Sequence, residues 1–320
     1  MGLDTKDCKI LYNLDFEARM PLSILAKRVG LSKQVTKYRL DLLQKKGIIQ
    51  GFYADINSSK LGMAIYLVYL KFHHLTPEKE KEFISSLKMQ KSVGVSASLN
   101  GKWDYCLGIW AESIVHFKNY YRQIMKEYEK YVQSKTIMIE TDFYYFKPKR
   151  ILDKFENKQI TMSGEIENYE LDNKDKIILK ELSANSRLSL VEIAQKTGLT
   201  PNAVKERIKK LEKNKVILGY RIMINYPQLS FLHYRIFLHL ENLTEEKERS
   251  IIEFLKYQPS VISVTKTIGY CELEFRSVVK DVHEYYQLIE ALKKQFPDVI
   301  KETESILYYQ FNRVLNYYPF

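Results

Sequence analysis

Two short runs of the chain place lysines and amide or acid side chains on one face of a helix. The first holds Lys33, Gln34, Lys37, Tyr38 and Asp41, and the second holds Pro201, Asn202, Lys205, Glu206 and Lys209. Lysine offers a point charge to a phosphate. Gln34, Asn202 and Glu206 carry the donor and acceptor ends that read base edges in a major groove. Ser32 and Thr200 stand just ahead of these runs and are counted with them as candidate nucleic-acid contacts. Both residue types cap helices, and Pro201 suits a first helical position. The opposite face is apolar, with Thr36, Leu40 and Leu43 in the first run and Val204, Ile208 and Leu211 in the second. Arg39 and Arg207 border that stripe and are expected to pair with an acid of the first helix of their unit.

Each run needs a frame. Asp4 caps a helix with Cys8, Leu11 and Leu14 at 3–4 spacing, and a shorter helix spans Leu22–Val29. Gly30 then supplies a tight turn. After the third helix, Ile48-Ile49-Gln50-Gly51-Phe52 enters a strand, as Val216-Ile217-Leu218-Gly219-Tyr220 does later. Two helices split by a glycine turn, then a strand, describe a winged helix-turn-helix.

The chain contains this unit twice. Leu3-Asp4-Thr5-Lys6-Asp7 returns as Leu171-Asp172-Asn173-Lys174-Asp175, and the offset of 168 pairs Arg19 with Arg187, Lys37 with Lys205, Arg39 with Arg207 and Gly101 with Gly269. The net charge of +11 sits mostly in the repeated segments. Residues 3–57 hold ten Lys/Arg against six Asp/Glu, and residues 171–225 hold twelve against six, the distribution of a nucleic-acid surface. The expected domains are 1–57 and 171–225 as winged helix-turn-helix units, and 58–146 and 226–320 as the domains that follow them. The polar stretch 147–170 is expected to be a connector, flexible around Met162-Ser163-Gly164-Glu165.

Within 58–146 the pattern predicts strands at 63–73, 93–99, 103–110 and 135–146, with helices after Thr76 and over 114–130. The second copy repeats this as 231–241, 244–256, 260–268, 271–278, 281–294 and 299–311. The order βαββαβ is ferredoxin-like, and the fold class is α+β. The strand around Ile65, Leu67 and Tyr69 is apolar on both faces, so the sheets of the two copies are expected to pack on each other.

The residues now carry a resemblance. The winged helix followed by βαββαβ resembles the Lrp/AsnC family of feast/famine transcription regulators. So do the opening Leu-Asp-x-x-Asp, the Gly-Leu-Ser or Gly-Leu-Thr before the third helix, Gly-Ile-Ile-Gln-Gly-Phe at 47–52 and the turn Gly101-Lys102-Trp103-Asp104. The likeness covers nearly the whole chain, twice. It implies double-stranded DNA as partner, dimerisation through the C-terminal sheet and an amino-acid effector near the Gly-x-x-Asp turn. Gly101 and Asp104 are then candidate effector residues, with Gly269 and Glu272 in the second copy. That copy departs from the pattern, reading Gly269-Tyr270-Cys271-Glu272, and a plain hairpin in which the acid caps a neighbouring amide accounts for the same residues. The family has one unit per chain, so the duplication implies a dimer contained in a single chain, with further assembly left open.

Other chemistry finds no motif. Cys8, Cys106 and Cys271 are too few and too scattered for a disulfide framework or a thiolate metal site, and adjacent His73 and His74 point to opposite faces of a strand. No nucleophile elbow or dinucleotide fingerprint is present, so no cofactor, metal or catalysis is expected. No apolar run approaches the roughly 20 residues of a membrane helix, and the chain is expected to reside in the cytoplasm. One enzyme alternative remains: sirohaem decarboxylases also resemble Lrp/AsnC proteins and occur as fused pairs. Such a site needs Arg and His on the strands, where Val93–Leu99 and Val261–Ile268 offer neither.

Overall fold

Local caps and turns set the first unit of the computed structural model, which describes residues 3–152, 154, 156–162 and 164–314. The Asp4 carboxylate accepts the amides of Lys6 and Asp7 and starts α1 (Thr5–Leu14). Helix α2 (Leu22–Val29) closes at Gly30, and α3 (Lys33–Lys45) begins where the Ser32 hydroxyl accepts the Val35 N–H at 3.2 Å. Strand β1 (Ile49–Ile56) follows.

The next domain runs β2 (Ala64–Phe72), α4 (Pro77–Met89), β3 (Val93–Asn100), β4 (Tyr105–Ala111), α5 (Ile114–Met125) and β5 (Val132–Phe146). Its sheet order, β5-β2-β4-β3, is ferredoxin-like. Phe83, Leu87, Phe117 and Ile124 of the two helices bury against Val68, Leu107 and Ile109 on one face.

After a short α6 (Lys149–Leu152) and β6 (Gln159–Met162) the second copy begins. It comprises α7 (Asn173–Ala184), α8 (Leu190–Thr197), α9 (Pro201–Lys213) and β7 (Ile217–Ile224). It continues with β8 (Leu232–Leu240), α10 (Glu245–Tyr257), β9 (Val261–Ile268), β10 (Leu273–Val279), α11 (Val282–Gln295) and β11 (Ile300–Val314). Its sheet order, β11-β8-β10-β9, matches the first.

The copies complete each other's edges. Strand β1 pairs antiparallel with β7, and the register is reciprocal: Gly51 faces Met223 as Asp55 faces Gly219, so Tyr53 and its equivalent Arg221 face each other at the centre. Strands β5 and β11 each have 15 residues, about 50 Å of extended chain. The first half of β5 pairs with β2 and its second half crosses to β9. Likewise β11 pairs first with β8 and then with β3. The sheets face each other as the sequence predicts, and their shared edges close eight strands into a ring. Leu67, Tyr69, Trp103 and Met138 from one copy meet Phe237, Ile306 and Tyr308 from the other inside it.

The connector 147–170 carries structure of its own. Two of its apolar residues, Ile151 and Ile160, are buried in one core with α1 and the β1–β7 ribbon, and β6 adds to the end of β5 from Phe143↔Met162 to Phe146↔Gln159. Lys147 is buried beside Glu156 at 2.7 Å and lies over the Tyr12 ring. The Glu167 and Tyr169 amides bond to the carbonyls of Ser59 and Lys60. Of the expected flexible centre, Ser163 lies outside the described residues.

One packing contact is tight enough to test. A methyl group added at Gly94 in β3 would fall 1.2 Å from the buried Trp110 ring. The Gly94→Ala variant should lose roughly 2 kcal/mol or more of stability, read as a lower urea midpoint at unchanged slope.

Candidate nucleic-acid interface

Helices α3 and α9 turn the expected faces outward. Lys33, Gln34, Lys37, Tyr38 and Asp41 are exposed, as are Pro201, Asn202, Lys205, Glu206 and Lys209, while Thr36, Leu40, Leu43, Val204, Ile208 and Leu211 are buried. Tyr38 is 67% exposed, unusually open for an aromatic ring. Lys37 pairs with Asp41 at 3.0 Å and Lys209 with Glu206 at 2.9 Å. The hydroxyls of Ser32 and Thr200 are engaged as caps, the latter accepting the Ala203 N–H at 3.2 Å.

The arginines beside the stripe are structural. Arg39 holds Asp4 and Asp7 at 2.7 and 2.9 Å, and Arg207 holds Asp172 and Asp175 at 2.7 and 2.8 Å. Each ties a recognition helix to the start of the first helix of its unit, the pairing the sequence predicts. Two repeated lysines do related work that the sequence reading missed. Lys6 donates to the carbonyls of Val29 and Gly30, and Lys174 donates to that of Thr197. A cation there satisfies orphan carbonyls and complements the helix dipole. Their identical placement in the repeat was the available signal.

A reciprocal clamp joins the two units. The Arg19 guanidinium donates to the carbonyls of Ser186 and Leu188 and lies over the Tyr220 ring. Arg187 donates to the Ala18 carbonyl at 2.7 Å and lies over the Phe52 ring. The Ala18 amide bonds the Tyr220 carbonyl and the Ser186 amide bonds that of Phe52.

The four turn residues sit away from these helices, at the hairpins of the strand ring. Gly101 and Gly269 have φ of 140° and 126°, which disfavours any side chain. The Asp104 carboxylate accepts the Phe72 amide at 2.8 Å and pairs with Lys71 at 2.7 Å. The Glu272 carboxylate accepts the Leu240 amide, the equivalent group, at 2.7 Å. Both acids staple their hairpin to the neighbouring strand, and the longer side chain of Glu272 reaches the same target.

The ring interior and the ribbon over its mouth hold charge that the sequence reading did not identify. Arg221 is buried, hydrogen-bonded to Asp15 at 3.1 Å and stacked on Tyr145. Arg235 pairs with Glu274 at 3.3 Å and donates to the Tyr69 hydroxyl. His233 and Arg276 lie on the same two strands, β8 and β10. Basic strand residues were sought on Val93–Leu99 and Val261–Ile268 and occur instead on β7, β8 and β10. The repeat carried the signal, because the 168 offset sets Arg221, His233, Arg235 and Arg276 against Tyr53, Ile65, Leu67 and Gly108.

Comparison with known proteins places this geometry. A family described as winged helix-turn-helix DNA-binding matches residues 3–50 and 171–217. The chain is 33% identical over 127 residues to an uncharacterized HTH-type transcriptional regulator of Pyrococcus furiosus, covering 39% of this chain and 82% of that one. It is 41% identical over 73 residues to the leucine-responsive regulatory protein of Haemophilus influenzae, covering 23% of this chain and 43% of that one. Among solved structures, the siroheme decarboxylase NirDL aligns over 98% of this chain and 94% of its own with a TM-score of 0.63. The identity there is 12%, a likeness of fold alone.

The helix-start acids make the helix-turn-helix units acid-sensitive. The Asp172 carboxyl is held below the usual range by the Asp175 amide and then by Arg207, and Asp4 by the Asp7 amide and then by Arg39. A lowered folded-state value contributes stability that is complete above the unfolded value, about pH 4, and fades as pH falls through the folded one. Asp172→Asn keeps a capping residue and removes the charge. Its urea midpoint should lie below wild type at pH 6, and the gap should hold to about pH 4 and then narrow toward pH 2.5.

Proposed function

The chain belongs to the Lrp/AsnC family of HTH-type transcriptional regulators and carries the family's unit twice, and on that premise we propose that it is a sequence-specific double-stranded DNA-binding regulator whose two copies act as a built-in dimer. The observation that carries this reading is the matched pair of helices, α3 and α9, each presenting an open cationic face above a buried stripe. Lys33, Lys37, Lys205 and Lys209 anchor phosphates, while Gln34, Tyr38, Asn202 and Glu206 choose sequence. The Lys37–Asp41 and Lys209–Glu206 pairs are exposed, so freeing either lysine for a phosphate costs about 1 kcal/mol at most. The clamp of Arg19 and Arg187 holds the two units in one arrangement, which sets the spacing of the half-sites. In this reading Asp104 and Glu272 hold their hairpins, and with Gly101 and Gly269 they stay the candidate residues for an amino-acid effector.

Because α3 and α9 differ at the outward positions, the preferred operator is an imperfect palindrome. Its unlike half-sites lie about one helical turn (34–36 Å) or a multiple apart. Selection from random DNA tests this, and a perfectly symmetric consensus, or no enrichment, overturns it. Lys37→Ala and Lys205→Ala should each flatten the plot of log affinity against log salt by roughly one unit. Unchanged slopes remove those helices from the groove. A Soret-region shift on adding sirohaem, with no retardation of genomic DNA fragments, would replace this reading with the enzyme one.

A further inference from the structure

Beneath the β1–β7 ribbon, where it covers one mouth of the strand ring, lies a cavity of about 170 Å³. Ile65, Val95 and Ile262 give it apolar walls. Its polar members are unequally served. Both ring nitrogens of His233, the Nε of Arg235 and the Nε1 of Trp110 are buried without a hydrogen-bond partner among the described residues. All three side chains are more than nine-tenths buried. Indole and guanidinium nitrogens only donate, so the group that completes them must accept.

Charge points the same way. Glu274 is matched to Arg235 at 3.3 Å. Arg276 bonds the Ser263 hydroxyl at 2.6 Å through Nε and has no carboxylate within ion-pair distance among the described residues. Glu140, also in the wall, is pushed up to about 8 by burial and by Glu274, so at neutral pH it is an uncharged acid. Burial, Arg276 and Arg235 keep the His233 imidazole neutral. At the ribbon end Asp55 and Asp15 share Arg221. Arg276 is thus the one of these three arginines without a carboxylate at ion-pair distance among the described residues.

We propose that this cavity binds one small organic monoanion per chain, a carboxylate on an apolar body, with its oxygens received by Arg276, Arg235, His233 and the Trp110 indole. A cavity of about 150 Å³ accepts a benzene ring, which sets the scale near benzoate. An amino acid fits poorly, because its ammonium would enter beside Arg276. The cavity lies between the copies and there is one per chain: Ile65, Leu67 and Gly108, which also line it, hold the positions equivalent to His233, Arg235 and Arg276, so these basic groups come from the second copy alone.

Isothermal titration of the full chain without DNA tests this apart from the regulatory reading. Benzoate is the probe, and benzylamine and leucine are the charge controls. Benzoate should bind once per chain and raise Tm. Arg276→Gln should weaken it at least tenfold with an unchanged circular dichroism spectrum. Val95→Phe, which fills the apolar wall and leaves every charge in place, should also abolish binding, so the test survives a misfolded Arg276 variant. The proposal is overturned by no benzoate binding or by two sites per chain. It is overturned equally by benzylamine or leucine binding in benzoate's place, or by full affinity in a folded variant of either kind.

Discussion

Backbone hydrogen bonds that cross from one copy to the other hold this molecule together. A β-strand with an open edge is an unmet set of donors and acceptors and a template for unwanted pairing. Here β1 finds its partner in β7, and the outer edges at β3 and β9 are filled by the far halves of β11 and β5. The helix-turn-helix units owe their relative placement to the same device, since the ribbon between them is built from one strand of each. The Arg19 and Arg187 contacts then lock that ribbon against the turns of the opposite unit.

Local signals made much of this legible. Asp4, Ser32 and Thr200 cap the helices expected of them, and the repeated offset supplied the duplication. The βαββαβ order was readable from alternation and helix spacing. Ring closure was not, because nothing in the alternating residues of β5 names the strand that its second half will meet. Composition made 147–170 look like a flexible connector, yet two of its isoleucines anchor it in the core while most of its other described residues stay exposed. The outward residues of α3 and α9 were found by subtracting the buried stripe, a reliable route on a helix, where each face has one fate. Strands of a closed ring defeat the equivalent argument. His233 and Arg235 alternate as solvent-facing residues should, but the face they occupy points into the ring.

The interior charges also show where the copies have parted. At the helix-turn-helix units the equivalences are close: Arg39 with Arg207, Lys6 with Lys174, Arg19 with Arg187. Inside the ring and on the ribbon over its mouth they fail at four positions where a basic residue in the second copy, Arg221, His233, Arg235 or Arg276, stands against Tyr53, Ile65, Leu67 or Gly108 in the first. Buried cations persist only when paired or hydrogen-bonded, and Asp15, Glu274 and Ser263 fill that role here.

The facing of Tyr53 and Arg221 at the centre of the ribbon has a particular consequence. In an assembly of two identical polypeptides, the central position meets itself, so an arginine there would confront a second arginine at close range. Joining both halves in one polypeptide lifts that constraint, and a lone guanidinium can occupy the axis. Because both halves lie on one polypeptide, their association is a unimolecular event that dilution cannot reverse. Unlike halves therefore always find each other, in equal numbers, with no like-with-like pairing to compete.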